Sequence, residues 1–179
     1  MSTIAVNILE PTAADDAGLV EQLTGLVNDV YAAAETGLWR EGVARTSPSE
    51  LVTFIRAGQI AVATRHAELA GAVRIHDVAE DTGEFGMLVA TPEQRGTGVG
   101  GELVAFAEQR SRERGLRAMQ LELLVPRGWR HPDKEFLKAW YTRLGYRQVG
   151  TRSIDETHPH LAPLLAIPCD VDVYEKHLE

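Results

Sequence analysis

The sequence has a single cysteine, Cys169, so neither an intrachain disulfide nor a cysteine-built metal site is open to it. No apolar run approaches the roughly 20 residues of a membrane-spanning helix. The opening stretch, MSTIAVNILE, has neither the basic start nor the long apolar stretch of a secretory signal. A soluble, cytoplasmic chain with no membrane partner is expected. Positive charge is scarce, with 18 Lys and Arg against 26 Asp and Glu and a net charge of −8, which argues against a nucleic-acid partner. Repeats, low-complexity tracts and linkers are also missing. The 179 residues therefore read as one domain, 1–179, large enough for a real core.

The charge that is present is unevenly placed. Residues 95–152 carry a net +6, and the rest of the chain carries −14. A basic middle between acidic flanks suits an anionic cofactor and a small, cationic second substrate. A homodimer is compatible with these features.

Hydrophobic periodicity predicts a strand over 3–9 and a helix with Leu19, Leu23, Leu26, Val27 and Val30 on one face. The segment Pro11–Asp15 supplies an N-cap. Ser47-Pro-Ser-Glu50 is a capping box opening a second helix, with Leu51, Phe54 and Ile55 inward. A hairpin spans 60–75, a strand spans 84–91, and a helix begins near Val99 and stops at Gly115. Residues 116–125 alternate as a strand, with Met119, Leu121 and Leu123 on one face and Ala118, Gln120 and Glu122 on the other. Asp133 is placed to cap a helix with the stripe Phe136, Leu137, Trp140, Tyr141 and Leu144, ended by Gly145. Strands over 146–149 and 171–174 close a mixed sheet covered on both faces.

The stretch EQRGTGVGGEL, residues 93–103, carries the first chemical signal. Gly96, Gly98 and Gly101 form a literal G-x-G-x-x-G, and Glu122 lies where a dinucleotide-binding ribose acid would sit. Against that reading, Thr91-Pro-Glu-Gln-Arg95 separates strand from glycines, and the strand carries Glu84 and Gly86. Only about 57 residues follow Glu122, too few for a second nucleotide-binding half. Glu102 stands where a P-loop requires lysine. The alternative is a cradle for the pyrophosphate of coenzyme A. Arg95 supplies charge, Gly96, Thr97, Gly98, Val99, Gly100 and Gly101 supply backbone N–H groups, and the helix dipole adds attraction.

The segment EFGMLVATPEQRGTGVGGELVAFAEQR resembles the signature region of the GCN5-related N-acetyltransferase (GNAT) superfamily. WYTRLGY, Trp140–Tyr146, resembles that superfamily's second motif, in the correct order about 40 residues on. The resemblance covers roughly residues 3–150. It implies an α/β (α+β) acyl-CoA N-acyltransferase fold: a mixed, mostly antiparallel twisted sheet of six to seven strands, helices on both faces, and two splayed central parallel strands. The function it implies is transfer of an acetyl group from acetyl-CoA to a primary amine by direct attack. No metal is implied.

The positions matching the family pattern follow residue by residue. Leu88, Val89 and Ala90 match backbone positions that hold pantetheine. Glu84 matches a glutamate used by many members as general base, with Glu122 as the competing candidate. Tyr141 matches the tyrosine that serves as general acid toward the thiolate. Many members carry asparagine seven residues before that tyrosine. Lys134 stands there instead and is a candidate for a cofactor phosphate. Tyr31, Trp39 and Trp129 are candidates for an acceptor pocket, and His158-Pro-His160 reads as a solvated loop. The competing class is a GNAT-fold module that binds acyl-CoA as a sensor or partner without turnover, for which Glu84 and Tyr141 would be unnecessary.

Overall fold

A computed structural model describes residues 3–179. Seven strands form one sheet: β1 (Ala5–Ile8), β2 (Ile60–Arg65), β3 (Glu68–Ala79), β4 (Thr82–Ala90), β5 (Ala118–Pro126), β6 (Arg147–Ser153) and β7 (Cys169–His177). Their order is β1-β2-β3-β4-β5-β7-β6. Every neighbouring pair is antiparallel except β4 and β5, which are joined through a helix and run parallel. This is the expected mixed sheet, with its single parallel pair near the centre.

Helices α1 (Ala17–Ala34) and α2 (Pro48–Arg56) cover one face. Val20, Leu23, Val27, Leu51 and Ile55 pack there on Ile60, Val62, Ala72 and Val89. Helices α3 (Val99–Glu113) and α4 (Pro132–Arg143) cover the other. On that side Val99, Leu103, Val104, Ala107 and Tyr141 pack on Val73, Ile75, Phe85, Met119, Leu121 and Leu123. The period-two alternation of β5 sends Met119, Leu121 and Leu123 into this core, which leaves Gln120 and Glu122 facing α1 and α2.

A third, smaller cluster joins two connections. Leu38 packs with Leu124, Ile154, Leu165, Cys169 and Val171. Arg40 N–H donates to the Leu164 carbonyl (2.9 Å) and Ala166 N–H to the Leu38 carbonyl (2.8 Å). The α1–α2 connection and the β6–β7 connection, which contains α5 (Ile154–Thr157), are thus fastened to each other against the far half of β5.

Several local expectations are corrected. The cap of α1 is Asp16, whose carboxylate accepts from Leu19 N–H at 3.0 Å, and residues 11–15 form a 3-10 turn. Asp133 does not cap α4. His131 holds the cap position, and Pro132 takes the first turn, where a missing N–H costs nothing. Only half of the capping box at α2 forms: Ser47 accepts from Glu50 N–H, but the Glu50 carboxylate turns to the Thr46 hydroxyl at 2.7 Å. Phe136 is 63% exposed, not inward. The closing strands are longer than 146–149 and 171–174, because each is held by pairing along its whole length rather than by its own apolar pattern. The glycine stops of α3 and α4 are as expected, with Gly115 and Gly145 at φ +81° and +97°.

Candidate active site

The parallel pairing of β4 with β5 covers three rows only, Thr82 with Ala118, Gly83 with Met119 and Glu84 with Gln120. Beyond Glu84 the two strands part. From Phe85 to Ala90 the edge of β4 facing β5 is unpaired, while β3 holds its other edge. Backbone N–H and C=O groups in such a gap must find partners, and an extended ligand can supply them as an added strand. A β-bulge sharpens the opening. Ala72 and Arg74 of β3 pair with Val89 and Gly86, so two residues of β4 oppose one of β3, and Met87 takes φ +50°.

A cleft of about 690 Å³ runs along this gap. Gly86, Leu88, Val89 and Ala90 form one wall, and Leu121, Glu122, Leu123 and Leu124 of β5 form the opposite one. The N-terminus of α3 lies at one end, with Arg95, Gly96, Gly98, Val99, Gly100 and Gly101. Lys134, Phe136, Leu137, Trp140 and Tyr141 of α4 line it, and so do Tyr31, Glu35 and Arg45 from the α1 side.

The glycines of the α3 turn have different jobs. Gly96 and Gly98 take φ +74° and +94°, a left-handed backbone that other residues adopt only with strain. Gly98 is the N-cap of α3, so the first free N–H groups of the helix open onto the cleft. Gly100 admits the Trp140 ring, which would stand 3.3 Å from a Cβ there. Gly101 alone is helical with open space where its Cβ would be, so it leaves a hollow in the cleft wall. The turn is fastened from β2: Arg65 donates to Gln94 Oε1 at 2.8 Å, and the Thr97 hydroxyl donates to the Gln94 carbonyl at 2.8 Å. Arg95 is exposed, and no carboxylate of the described residues lies within 4 Å of its guanidinium. Donor groups, a free arginine and a hollow without a side chain fit a pyrophosphate.

Tyr141 stands on the wall of the same cleft, 6% exposed, its ring 6.0 Å from Phe85, 5.0 Å from Trp140 and 6.2 Å from Tyr146. Burial, with the Tyr31 phenol adding to it, holds its hydroxyl well above the usual tyrosine range, so it stays protonated. Tyr31 lies close by. Burial pushes it up to about 12, against the opposing pull of Arg45, whose guanidinium sits 5.0 Å over the ring.

The two carboxylates expected at the site occur together on the α1–α2 face. Glu84 accepts from Gln120 Nε2 at 2.7 Å, and its other oxygen lies 3.6 Å from His76 Nε2. Burial raises Glu84 above the usual carboxylate value, and the negative charge of Glu122 raises it further. His76 is pushed the other way, first by burial and then by Arg74, so it is neutral beside Glu84. Glu122 accepts from His158 Nε2 at 2.6 Å. A carboxylate only accepts, so this nitrogen carries the proton. His158 is therefore not a freely solvated loop residue. It reaches the site from the cap position just after α5, a placement that no local spacing signals.

Lys134 is buried, with its Nζ 2.7 Å from Glu35 Oε1. The second oxygen of Glu35 accepts from the Trp39 indole and lies 3.3 Å from Arg45 Nε. This knot of charge forms the wall of the cleft between α1 and α4. Trp39 thus holds Glu35, Tyr31 lines the cleft, and Trp129 stands exposed beside His131, 5.3 Å between rings.

A central parallel pair that splays, an open strand edge and a glycine turn at the next helix define an acyl-transferase architecture. The chain belongs to the acetyltransferase (GNAT) family, whose family model matches residues 28–146. No curated protein matches it. Among solved structures it resembles N-acetylglutamate synthase from Neisseria gonorrhoeae complexed with coenzyme A and N-acetyl-glutamate, with 16% identity and a TM-score of 0.67. That likeness covers 100% of this chain and 36% of the synthase, so the chain spans about a third of that protein. It also resembles the ribosomal-protein-S18-alanine N-acetyltransferase from Escherichia coli, with 15% identity and a TM-score of 0.64, covering 99% and 95% of the two chains. An N-acetyltransferase from Staphylococcus aureus Mu50 aligns with 13% identity and a TM-score of 0.68 over 99% and 100%. At these identities the likenesses establish the fold.

Proposed function

We propose that the protein transfers an acetyl group from acetyl-CoA to the primary amine of a small acceptor. The observation that carries this reading is the end of β4–β5 pairing at Glu84, which opens a strand edge between the α3 glycine turn and Tyr141. The residues present fit the cofactor. N–H groups at the start of α3 and Arg95 hold the pyrophosphate, and Thr97, on the same turn, is within reach of it. The backbone of Leu88, Val89 and Ala90 pairs with the pantetheine arm. Lys134 keeps ammonium donors beyond the one given to Glu35. When bound, acetyl-CoA supplies an activated acyl carbon.

The chain's own groups then move protons. An amine with a pKa near 10 is mostly ammonium at pH 7, and removing that proton costs about 4 kcal/mol. Glu84, made more basic by burial, accepts it, directly or through a water. Glu122, held by His158, adds the second negative charge that draws the ammonium in. A backbone N–H on the open edge of β4 stabilises the carbonyl oxygen as it gains charge. Tyr141 donates its proton to the departing sulfur and is reprotonated, directly or through water, by the second proton that the acceptor nitrogen loses on becoming an amide.

The test is release of the coenzyme A thiol, read with DTNB, across a panel of primary amines, alongside thermal shift with acetyl-CoA and with NAD. We expect thiol release with at least one amine and stabilisation by acetyl-CoA alone. Stabilisation by NAD and none by acetyl-CoA would overturn the reading.

A further inference from the structure

The α1–α2 face of the sheet holds a second pattern beside the carboxylates. The paired rows place His76, Glu84 and Gln120 side by side across β3, β4 and β5. Two residues along, Arg74 pairs with Gly86, and the same register carried onto β5 reaches Glu122. Strand side chains two apart share a face, so Arg74 and Gly86 form the next paired row on the face that carries Glu84, and Glu122 faces them from β5 across the splay. The middle member has no side chain. Nothing lies within 4 Å of where a Gly86 Cβ would stand, and Gly86 lines the cleft. The row is a cation, an open floor and an anion, with Glu84 adjoining.

Arg74 is held ready on that face. Its Nε donates to Gln59 Oε1 at 2.8 Å, and its guanidinium lies 3.7 Å over the Phe54 ring of α2. Stacking and one fixed bond hold the guanidinium plane while no described residue hydrogen-bonds the η nitrogens. No carboxylate of the described residues lies within 4 Å of it, although Glu50 and Glu84 both act on it at longer range. A half-buried guanidinium without a counter-ion is costly, and burial accordingly pulls Arg74 below the usual arginine value. An incoming anion would remove that cost.

We propose that Arg74 is a carboxylate-binding subsite for the acceptor, which is an amino acid: its amine lies toward Glu84 and Glu122, and its carboxylate pairs with Arg74 over the Gly86 floor. The proposal rests on the transferase reading above and adds to it the second charge of the acceptor. A purely cationic acceptor leaves Arg74 unpaired and places a positive charge beside it. Adjacent strands are about 4.8 Å apart, so Arg74 and Glu122 stand at least roughly 10 Å apart at the backbone. Glu122 lines the cleft with Gly86, and Arg74 is the paired neighbour of Gly86 on β3.

The experiment compares each amino acid with its own α-carboxamide, at saturating acetyl-CoA, by thiol release with wild-type protein. The amide's amine is less basic, so intrinsic reactivity works against the expected result. We expect kcat/KM for the best acid to exceed that of its amide by roughly 10–150-fold, the worth of a charged hydrogen bond. In Arg74→Gln that preference should vanish, mainly through KM for the acid, while the amide is handled as before and acetyl-CoA still stabilises the protein. Arg74→Lys should restore part of the preference. Equal handling of acid and amide by wild type, better turnover of spermidine than of any amino acid, or a preference that survives Arg74→Gln would overturn the subsite. Absence of thiol release with every amine would overturn the transferase reading and the subsite with it, whereas turnover without an acid preference removes the subsite alone.

Discussion

Removing one oxygen atom from Tyr141 separates its chemistry from its packing. The ring of Tyr141 is clamped by Phe85, Trp140 and Tyr146, and Phe keeps all three contacts. Burial and the neighbouring Tyr31 phenol, rather than any hydrogen bond, hold its proton on. Tyr141→Phe therefore strands no partner, and stability should stay within about 0.5 kcal/mol, a Tm change of no more than about 2 °C. Tyr146→Phe is the matched control on the same helix–strand junction. Its hydroxyl donates to Glu108 Oε1 at 2.9 Å, a carboxylate that Lys176 also holds at 2.9 Å. Loss of that bond should cost about 1–2 kcal/mol, or roughly 2–8 °C in Tm, with turnover little changed. Loss of a general acid at the sulfur should lower kcat in Tyr141→Phe by roughly 10²–10⁴, equivalent to about 2.7–5.4 kcal/mol of barrier. The assay pairs thermal denaturation with kcat at saturating acetyl-CoA and the best acceptor. Turnover of Tyr141→Phe within twofold of wild type would return the residue to the core.

Three further perturbations test other parts of the site. Gly101→Val fills the helical hollow in the cleft wall at the start of α3 without backbone strain, so titration calorimetry should show acetyl-CoA affinity reduced at least tenfold while Tm is kept or raised. Glu84→Gln should lower kcat, and the deficit should narrow as pH rises and free amine accumulates. Its stability has the opposite sign. Glu84 is raised in the folded protein, so wild type loses stability as pH climbs from below 4.5 through that raised value, and Glu84→Gln should unfold at a higher temperature than wild type at pH 8 but not at pH 4. Lys134→Met removes one of the two cations beside buried Glu35, Arg45 remaining, and should cost about 1.5–3 kcal/mol by urea denaturation. A loss confined to acetyl-CoA affinity would show that the lysine serves the cofactor alone.

Local sequence was enough for the elements that depend on neighbours along the chain. Helix α3 was legible from a glycine turn before it and Gly115 after it, because caps act over a single turn. The alternation of β5 likewise announced that Gln120 and Glu122 share a face. The signature of 84–146 pointed to the α3 turn and Tyr141, which line one cleft together with Glu122, whereas Glu84 is not among the residues lining it. Other features were decided only by the tertiary structure. Phe136 fits the apolar stripe of α4, yet it stands exposed at the cleft, because the stripe is wider than the face that meets the sheet. Which partner each carboxylate takes could not be read locally. Glu84 meets Gln120 through strand pairing 36 residues apart, and Glu122 meets His158 across another 36. Lys134 finds Glu35 at a separation of 99 residues, and Arg74 shares a row with Gly86 through the β3–β4 register that also pairs His76 with Glu84. Charge pairing depends on distances of a few ångströms in space, and those are set by strand order, register and the fastening of two distant connections, none of which leaves a period in the sequence.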